Sequence, residues 1–469
     1  MRTLNILLVV GVAALFSPHP TSARDDTITE KSTGKDVTES VLRLISRSNI
    51  FPSDNSFLIR LAYVESRFGL NTNTFRTDYY GGIWQVEESV FRSTQSNHTS
   101  LTNLITAIES HFNINWHRLT WRDLLKPLHS GLAAALYFSR VPTSIPGTIE
   151  NQAVHWRAWY RPLGDAAVFI ADSEELKNQT RCRGKLDLCV LLDGSASLIE
   201  SFTKDYTRIG MIVFSNGTSD IFQIDNNLSI EQMAAFARNA SYPGQGTQTD
   251  VGIFRAISMF NNATSNEGVP KVLTVFTDGG SDRGSNMTGA IQAIRDNSIK
   301  SVSIGIGGTL NNTELHLIAL NDTESVFYVN DFAALNDFLY TITSVACEIP
   351  QRPAINASVS DTLVQDEKRY YAVELPSQGI TITLTINSGR TTGYWSRTES
   401  VPSSAVHDGV ITGSVFISGG NRQAGAASVY VAVQGLENMN NYTIRATQGN
   451  TTGAFLFLNI NLLAICIKK

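Results

Sequence analysis

The chain has 469 residues, 42% of them hydrophobic, which is material for about two to four domains with real cores. Its formal net charge of -5 is small for that length and no basic block stands out, so nucleic acid is not an expected partner. Four cysteines and no Cys/His zinc spacing exclude a disulfide scaffold and a zinc ribbon.

Residues 1–23 carry Arg2, an apolar run from Ile6 to Phe16, and then Thr21, Ser22 and Ala23, the pattern of a secretory signal peptide cleaved near Ala23. Residues 24–42 are polar and predict a linker or arm, with order beginning near Val41. Helical spacing dominates 43–170. The run Ser56–Phe68, SFLIRLAYVESRF, predicts an amphipathic helix with Ser56 as cap and Glu65 near its carboxyl end. YYGGIWQVEESVF, the helical GLAAALYF and the aromatic-rich QAVHWRAWY follow. Glu65-Ser66 resembles the catalytic Glu-Ser pair of lytic transglycosylases and goose-type lysozymes, and Gly82-Ile83-Trp84-Gln85 resembles their Gly-Leu-x-Gln motif. The resemblance implies an α lysozyme-like domain acting on peptidoglycan or another glycan. Glu65 would be its general acid in a partly apolar cleft. Gln85 would shape a sugar subsite, with Tyr80 and Trp84 stacking on sugar rings. The third motif of that family, Ala-Tyr-Asn-Ala-Gly, is answered only by Ala158-Trp159-Tyr160-Arg161-Pro162, which has no Asn in register. A second carboxylate stays open among Asp78, Glu87 and Glu88.

The polar run between 171 and 181 predicts a linker. Strands and helices then alternate over 180–348 as in a doubly wound α/β sheet. Leu186–Ser197, LDLCVLLDGSAS, reads as a central strand buried on both faces that ends in an acid and two hydroxyls. The carboxyl end of such a strand is where open α/β sheets bind ligands. Asp193, Ser195 and Ser197 can converge there, and hard oxygen donors suit Mg²⁺. DGSAS, the Gly246-Thr247 of GQGTQTDVG and the Thr277-Asp278-Gly279 of VLTVFTDGG resemble, in order, the metal-ion-dependent adhesion site of von Willebrand factor type A domains. That resemblance implies a Rossmann-like fold in which Asp193, Ser195, Ser197, Thr247 and Asp278 hold Mg²⁺, or Mn²⁺ or Ca²⁺. An acidic side chain of an extracellular protein partner would complete the ion's shell. It also implies a Cys182–Cys347 disulfide closing the domain's ends. Cys189, inside the strand, reads as a small buried hydrophobe, and Asp250, Glu267 and Asp282 as surface acids.

From 350 to 449 period-two alternation with regular turn signals predicts a β-sandwich, faintly resembling the secreted prepeptidase C-terminal type and read as a spacer. The short apolar tail, 450–469, is interrupted by Asn459 and Asn461 and is short for a span, so membrane attachment is not expected. About a dozen Asn-x-Ser/Thr sequons, among them Asn97, Asn178, Asn216, Asn286, Asn356 and Asn441, fit a secreted glycoprotein. The functional expectation is a secreted extracellular glycoprotein that binds partners through its cation site. The alternatives are a glycan-cleaving enzyme targeted by that domain and a passive matrix component.

Overall fold

The computed structural model describes residues 23–51, 54, 56–96, 99–178, 186–192, 207–240, 246–264, 269–277, 280–282, 284–307, 310–322, 325–329, 347–419 and 428–450. Asp193, Ser195, Ser197, Asp278, Cys182 and Glu267 lie outside the described residues, as do 1–22 and 451–469.

A helical unit comes first. Its helices are α1 (Lys35–Arg47), α2 (Phe57–Ser66), α3 (Glu88–Thr94), α4 (Thr99–Phe112), α5 (Pro127–Arg140), α6 (Ile149–Trp159) and α7 (Ala166–Asn178). α2 and α5 are apolar on nearly every side and form the centre, as helices without a polar face must. The predicted helix over Ser56–Phe68 is present, but Ser56 does not cap it. Ser56 sits at φ 60 with no side-chain cap bond, and Asp54 takes the role, accepting from Ser56 N at 3.2 Å and Leu58 N at 2.8 Å. The polar run after 171 is no linker: α7 continues to Asn178, and its Asp172 receives Arg67 Nη2 at 2.6 Å.

The second unit is a six-stranded sheet. It contains β2 (Leu186–Leu192), β3 (Thr207–Phe214), β4 (Thr218–Phe222), β5 (Lys271–Thr277), β6 (Lys300–Ile306) and β7 (Val326–Val329), in the order β4-β3-β2-β5-β6-β7. Only β4 runs antiparallel to its neighbour. Helices α8 (Ile230–Arg238), α9 (Thr249–Asn262), α10 (Met287–Asp296) and α11 (Asn312–Ile318) alternate with the strands. β2 lies in the middle, and its side chains split between two cores: Leu186, Leu188 and Val190 on one face, Cys189 and Leu191 on the other. This is the two-sided burial that a continuous apolar strand requires. Cys189 is a free, fully buried thiol, pushed up by burial and so inert as a nucleophile. Cys347 is disulfide-bonded, and its expected partner Cys182 is outside the described residues.

The third unit is a sandwich of two antiparallel four-stranded sheets. One is β14 (Ser414–Ile417), β10 (Ile380–Ser388), β16 (Asn440–Gln448) and β8 (Ser358–Leu363). The other is β13 (Gly409–Ile411), β11 (Thr391–Ser396), β15 (Ser428–Gly435) and β9 (Lys368–Glu374). Alternate residues of both sheets make one core, in which the hydroxyls of Tyr371 and Tyr442 meet at 2.6 Å. Arg369 and Asp361, each with a 4% exposed side chain, pair at 3.0 Å between β9 and β8, and Glu367 adds a second acceptor at 2.9 Å. Truncating one partner of such a pair strands the other, so Arg369→Ala is expected to lower stability by about 3–5 kcal/mol in urea unfolding, and Arg369→Met together with Asp361→Leu by much less.

Residues 24–42, expected as a loose arm, are instead ordered against the sandwich. Strand β1 (Arg24–Asp25) pairs antiparallel with β12 (Val406–His407), and Asp26 N donates to Ala405 O at 2.9 Å. α1 buries Val37, Val41 and Ile45 in the helical core while its charged side faces the third unit. Asp36 bonds Lys368 and the Ser404 hydroxyl, Arg47 bonds Glu399 at 3.0 Å, and Arg43 bonds Glu348 at 3.1 Å. Ala405 and Val406 join the helical core. The first and third units therefore dock on each other, with the α/β unit's sequence between them.

Candidate functional site

At the carboxyl edge of the α/β sheet the described flanks of all three motif segments meet. β2 runs parallel between β3 and β5, with Leu192 opposite Val213 and Leu191 opposite Val275. The DGSAS segment and the Asp278 segment therefore start from neighbouring strand ends on one edge. Gln248 N donates to Ser215 O at 2.9 Å, which fixes the Gly246–Gln248 loop at the end of β3. Thr247 N donates to Asp282 Oδ2 at 2.8 Å, and Asp282 N donates back to Thr247 O at 2.7 Å. Thr247 is thereby tied to the segment that follows Asp278. Gly246 has φ +99, and a Cβ there would lie 1.8 Å from Asn216 Oδ1, so only glycine fits this turn.

Of the acids read as surface groups, Asp250 differs. Asp250 is buried, with Oδ2 accepting from Asn286 N at 2.7 Å and Oδ1 buried without a hydrogen bond among the described residues. It begins α9 directly behind Thr247, where the sequence pattern of an exposed first turn hid its burial. Asp282 is exposed but spent on the Thr247 backbone. Glu314, which sequence reading passed over, is also buried: it accepts from Ser281 N at 2.8 Å, from the Ser281 hydroxyl at 2.5 Å and from the Thr249 hydroxyl at 3.3 Å. It locks the two flanking loops together from the first turn of α11. Its signal in the sequence is the Asn311-x-x-Glu314 spacing of a helix start, with Asn311 accepting from Glu314 N.

The second candidate site lies in the helical unit. Glu65 stands one residue from the end of α2, as predicted, and Ser66 joins the two motifs: its hydroxyl donates to Ile83 O at 2.6 Å and accepts from Gly69 N at 2.7 Å. Tyr160 comes to the same loop, its hydroxyl donating to Trp84 O at 2.7 Å. The carboxylate itself is closed. Trp156 Nε1 donates to Oε1 at 2.7 Å, and Arg161 donates to Oε2 from Nε at 3.0 Å and Nη2 at 2.6 Å, leaving the Glu65 side chain 6% exposed. Burial pushes the Glu65 carboxyl above the usual carboxylate range, and Arg161 and the Trp156 indole pull it part of the way back. Arg161 continues to Gln85 O at 2.7 Å, and its Nη1 lies 3.7 Å from Glu87 Oε1, so that Glu87, one of the three open acids, shares Glu65's partner.

The sugar-contact expectations fare unevenly. Trp84 cannot stack on a ligand: it is fully buried and donates its indole N–H to Leu58 O at 2.9 Å. Gln85 is buried as well, and its amide serves the loop, donating to Gly82 O and Thr74 O and accepting from Arg76 Nη1 at 2.9 Å. Tyr80 is half-buried and meets Trp121 edge to face at 5.3 Å. Composition alone could not separate a loop-bracing Trp and Gln from ligand-facing ones.

Residues 187–341 match the von Willebrand factor type A domain model, and the α/β unit is a domain of that type. Human collagen alpha-6(VI) chain is 27% identical over 147 residues, 31% of this chain and 6% of the collagen. Human matrilin-1 is 27% identical over 169 residues, 32% of this chain and 34% of the matrilin. The chain thus spans about a third or less of the length of these curated relatives. Among solved structures, proximal thread matrix protein 1 from the mussel byssus, in a form with a zinc-occupied MIDAS motif, is 20% identical, covering 39% of this chain and 50% of that one at a TM-score of 0.33.

Proposed function

We propose that the chain is a secreted extracellular glycoprotein that binds protein partners through a divalent cation held at the carboxyl edge of its type A domain. The observation that carries this is the hydrogen-bonded meeting of the Gly246–Gln248 loop with Ser215 and Asp282, beside the ends of β2 and β5. The donor set that would hold the ion is Asp193, Ser195, Ser197, Thr247 and Asp278. Two carboxylates and three hydroxyls suit Mg²⁺ or Mn²⁺, with Ca²⁺ as the larger alternative. A cation bound by so few charges keeps an open position that an acidic side chain of a partner fills. The relatives in collagen VI and matrilin support an extracellular setting for this domain. Asp193→Ala is expected to abolish Mn²⁺ binding in calorimetry while leaving the unfolding midpoint within a few degrees. Full Mn²⁺ affinity in the variant would sink the proposal.

The helical unit is read as a lysozyme-like frame with a closed acid. Ser66 and Tyr160 gripping the Gly82–Gln85 loop support the frame. The paired Glu65 argues against cleavage, because a general acid needs a proton-bearing oxygen facing its substrate. Purified protein is expected to leave peptidoglycan turbidity unchanged, as is Glu65→Gln. Clearance by the wild type alone would restore Glu65 as an acid.

A further inference from the structure

We propose that Asn216 carries an N-linked glycan planted beside the cation edge, where it screens that edge against broad partners; the proposal rests on the secreted reading above. Asn216-Gly217-Thr218 is a complete sequon at the turn between β3 and β4. Asn216 is exposed, and no hydrogen bond among the described residues engages its amide nitrogen. Gly217 has open space around it. The turn is firm, with Ser215 N donating to Gly217 O at 2.8 Å and Ser215 O accepting from Gln248 N at 2.9 Å.

Its position gives the site its consequence. The Asn216 amide oxygen lies against Gly246, one residue before Thr247, so anything attached to this side chain stands at the rim of the edge that holds the cation residues. The other sequons whose contacts bring them to this edge are committed to helix starts. Asn286 Oδ1 accepts from Gly289 N at 3.1 Å, and Asn311 accepts from Glu314 N and donates to Glu314 Oε2. The linkage forms a bond between Asn216 Nδ2 and the anomeric carbon of an oligosaccharide activated as its lipid diphosphate. The amide gives up one proton and the lipid diphosphate leaves. The bulky, hydrated chain then admits a slender acidic loop and excludes a flat surface.

The full chain, secreted from a glycosylating host, is treated with an amidase that releases N-glycans in heavy-oxygen water, and its peptides are weighed. Conversion of Asn216 to labelled aspartate is the expected result. Conversion at Asn356 or Asn441 but not at Asn216, or conversion nowhere, overturns the inference and leaves the secreted reading standing, whereas failure of the chain to reach the medium removes both. Screening is read separately with poly-L-glutamate coated on latex beads, a broad acidic face, in Mn²⁺ buffer. Asn216→Gln and Thr218→Ala, which both delete the sequon, are expected to bind this probe about threefold more tightly than wild type or better. Tightening in Asn216→Gln alone would trace the effect to the lost amide and overturn the screen, as would unchanged binding in both.

Discussion

Arg161→Ala is expected to destabilise the helical unit by about 3–5 kcal/mol at neutral pH, because it leaves the Glu65 carboxylate buried with only the Trp156 indole as donor. The loss is specific to charge: Arg161→Lys should recover part of it, and Arg161→Ala combined with Glu65→Leu most of it, since the second change removes the stranded anion. The pH dependence has a definite sign. Glu65 already sits above its ordinary value, so the native protein takes up a proton before the unfolded chain does as pH falls. Its penalty on stability is therefore full above its folded value and relieved on acidification toward the ordinary carboxylate range. Removing Arg161 raises the folded value further and widens that window upward. Urea unfolding of wild type and variant from neutral pH to pH about 5 checks this. A gap that stays constant across the series would mean that Glu65 is not the group responsible.

Lys368→Ala is expected to have a comparable effect, about 3–5 kcal/mol, on the docking of the first unit against the third. Lys368 and Asp36 are 12% and 17% exposed at the side chain, and the Ser404 hydroxyl completes the carboxylate's shell at 2.7 Å. Burial pushes the Asp36 carboxyl up, but the Lys368 charge and the bonds from Lys368 and Ser404 together outweigh it and hold the group below its ordinary value. A depressed carboxylate contributes stability that is present above its ordinary value and lost as pH falls through the folded one. Wild type should therefore converge on Asp36→Ala in acid. The Asp36→Ala and Lys368→Ala double variant should be less damaged than the sum of the singles, and strict additivity would show the pair to be uncoupled.

The α/β unit was legible because its signals are local. An apolar strand of Leu and Val ending in Asp, hydroxyls and Gly needs both faces covered and its end free, and the apolar runs KVLTVFT (271–277) and SVSIGIG (301–307) emerge as β5 and β6 for the same reason. The apolar run IFQI (221–224) marks β4 only in part: the strand begins at Thr218, because Thr218-Ser219-Asp220, which look like turn residues, pair with β3 on a sheet edge where polar side chains meet solvent. The helix carrying Glu65 and the meeting of its motif with the Gly82–Gln85 loop also follow from nearby residues. What closes Glu65 does not. Arg161 is 96 positions away and entered the sequence reading only as a member of the segment that lacks the family's Asn. The docking of α1 was equally hidden, since a polar segment reads as solvated until its partners are known. Lys368 lies 332 positions from Asp36, and Glu399 lies 352 from Arg47.

The grip of Arg43 on Glu348, next to the bonded Cys347, has a mechanical corollary. The stalk leaving the type A domain is fastened to the same helix that leans on the sandwich. A tug on the type A domain is then delivered to a single broad handle made of both flanking units. Such a linkage lets the α/β unit be loaded without peeling either neighbour open.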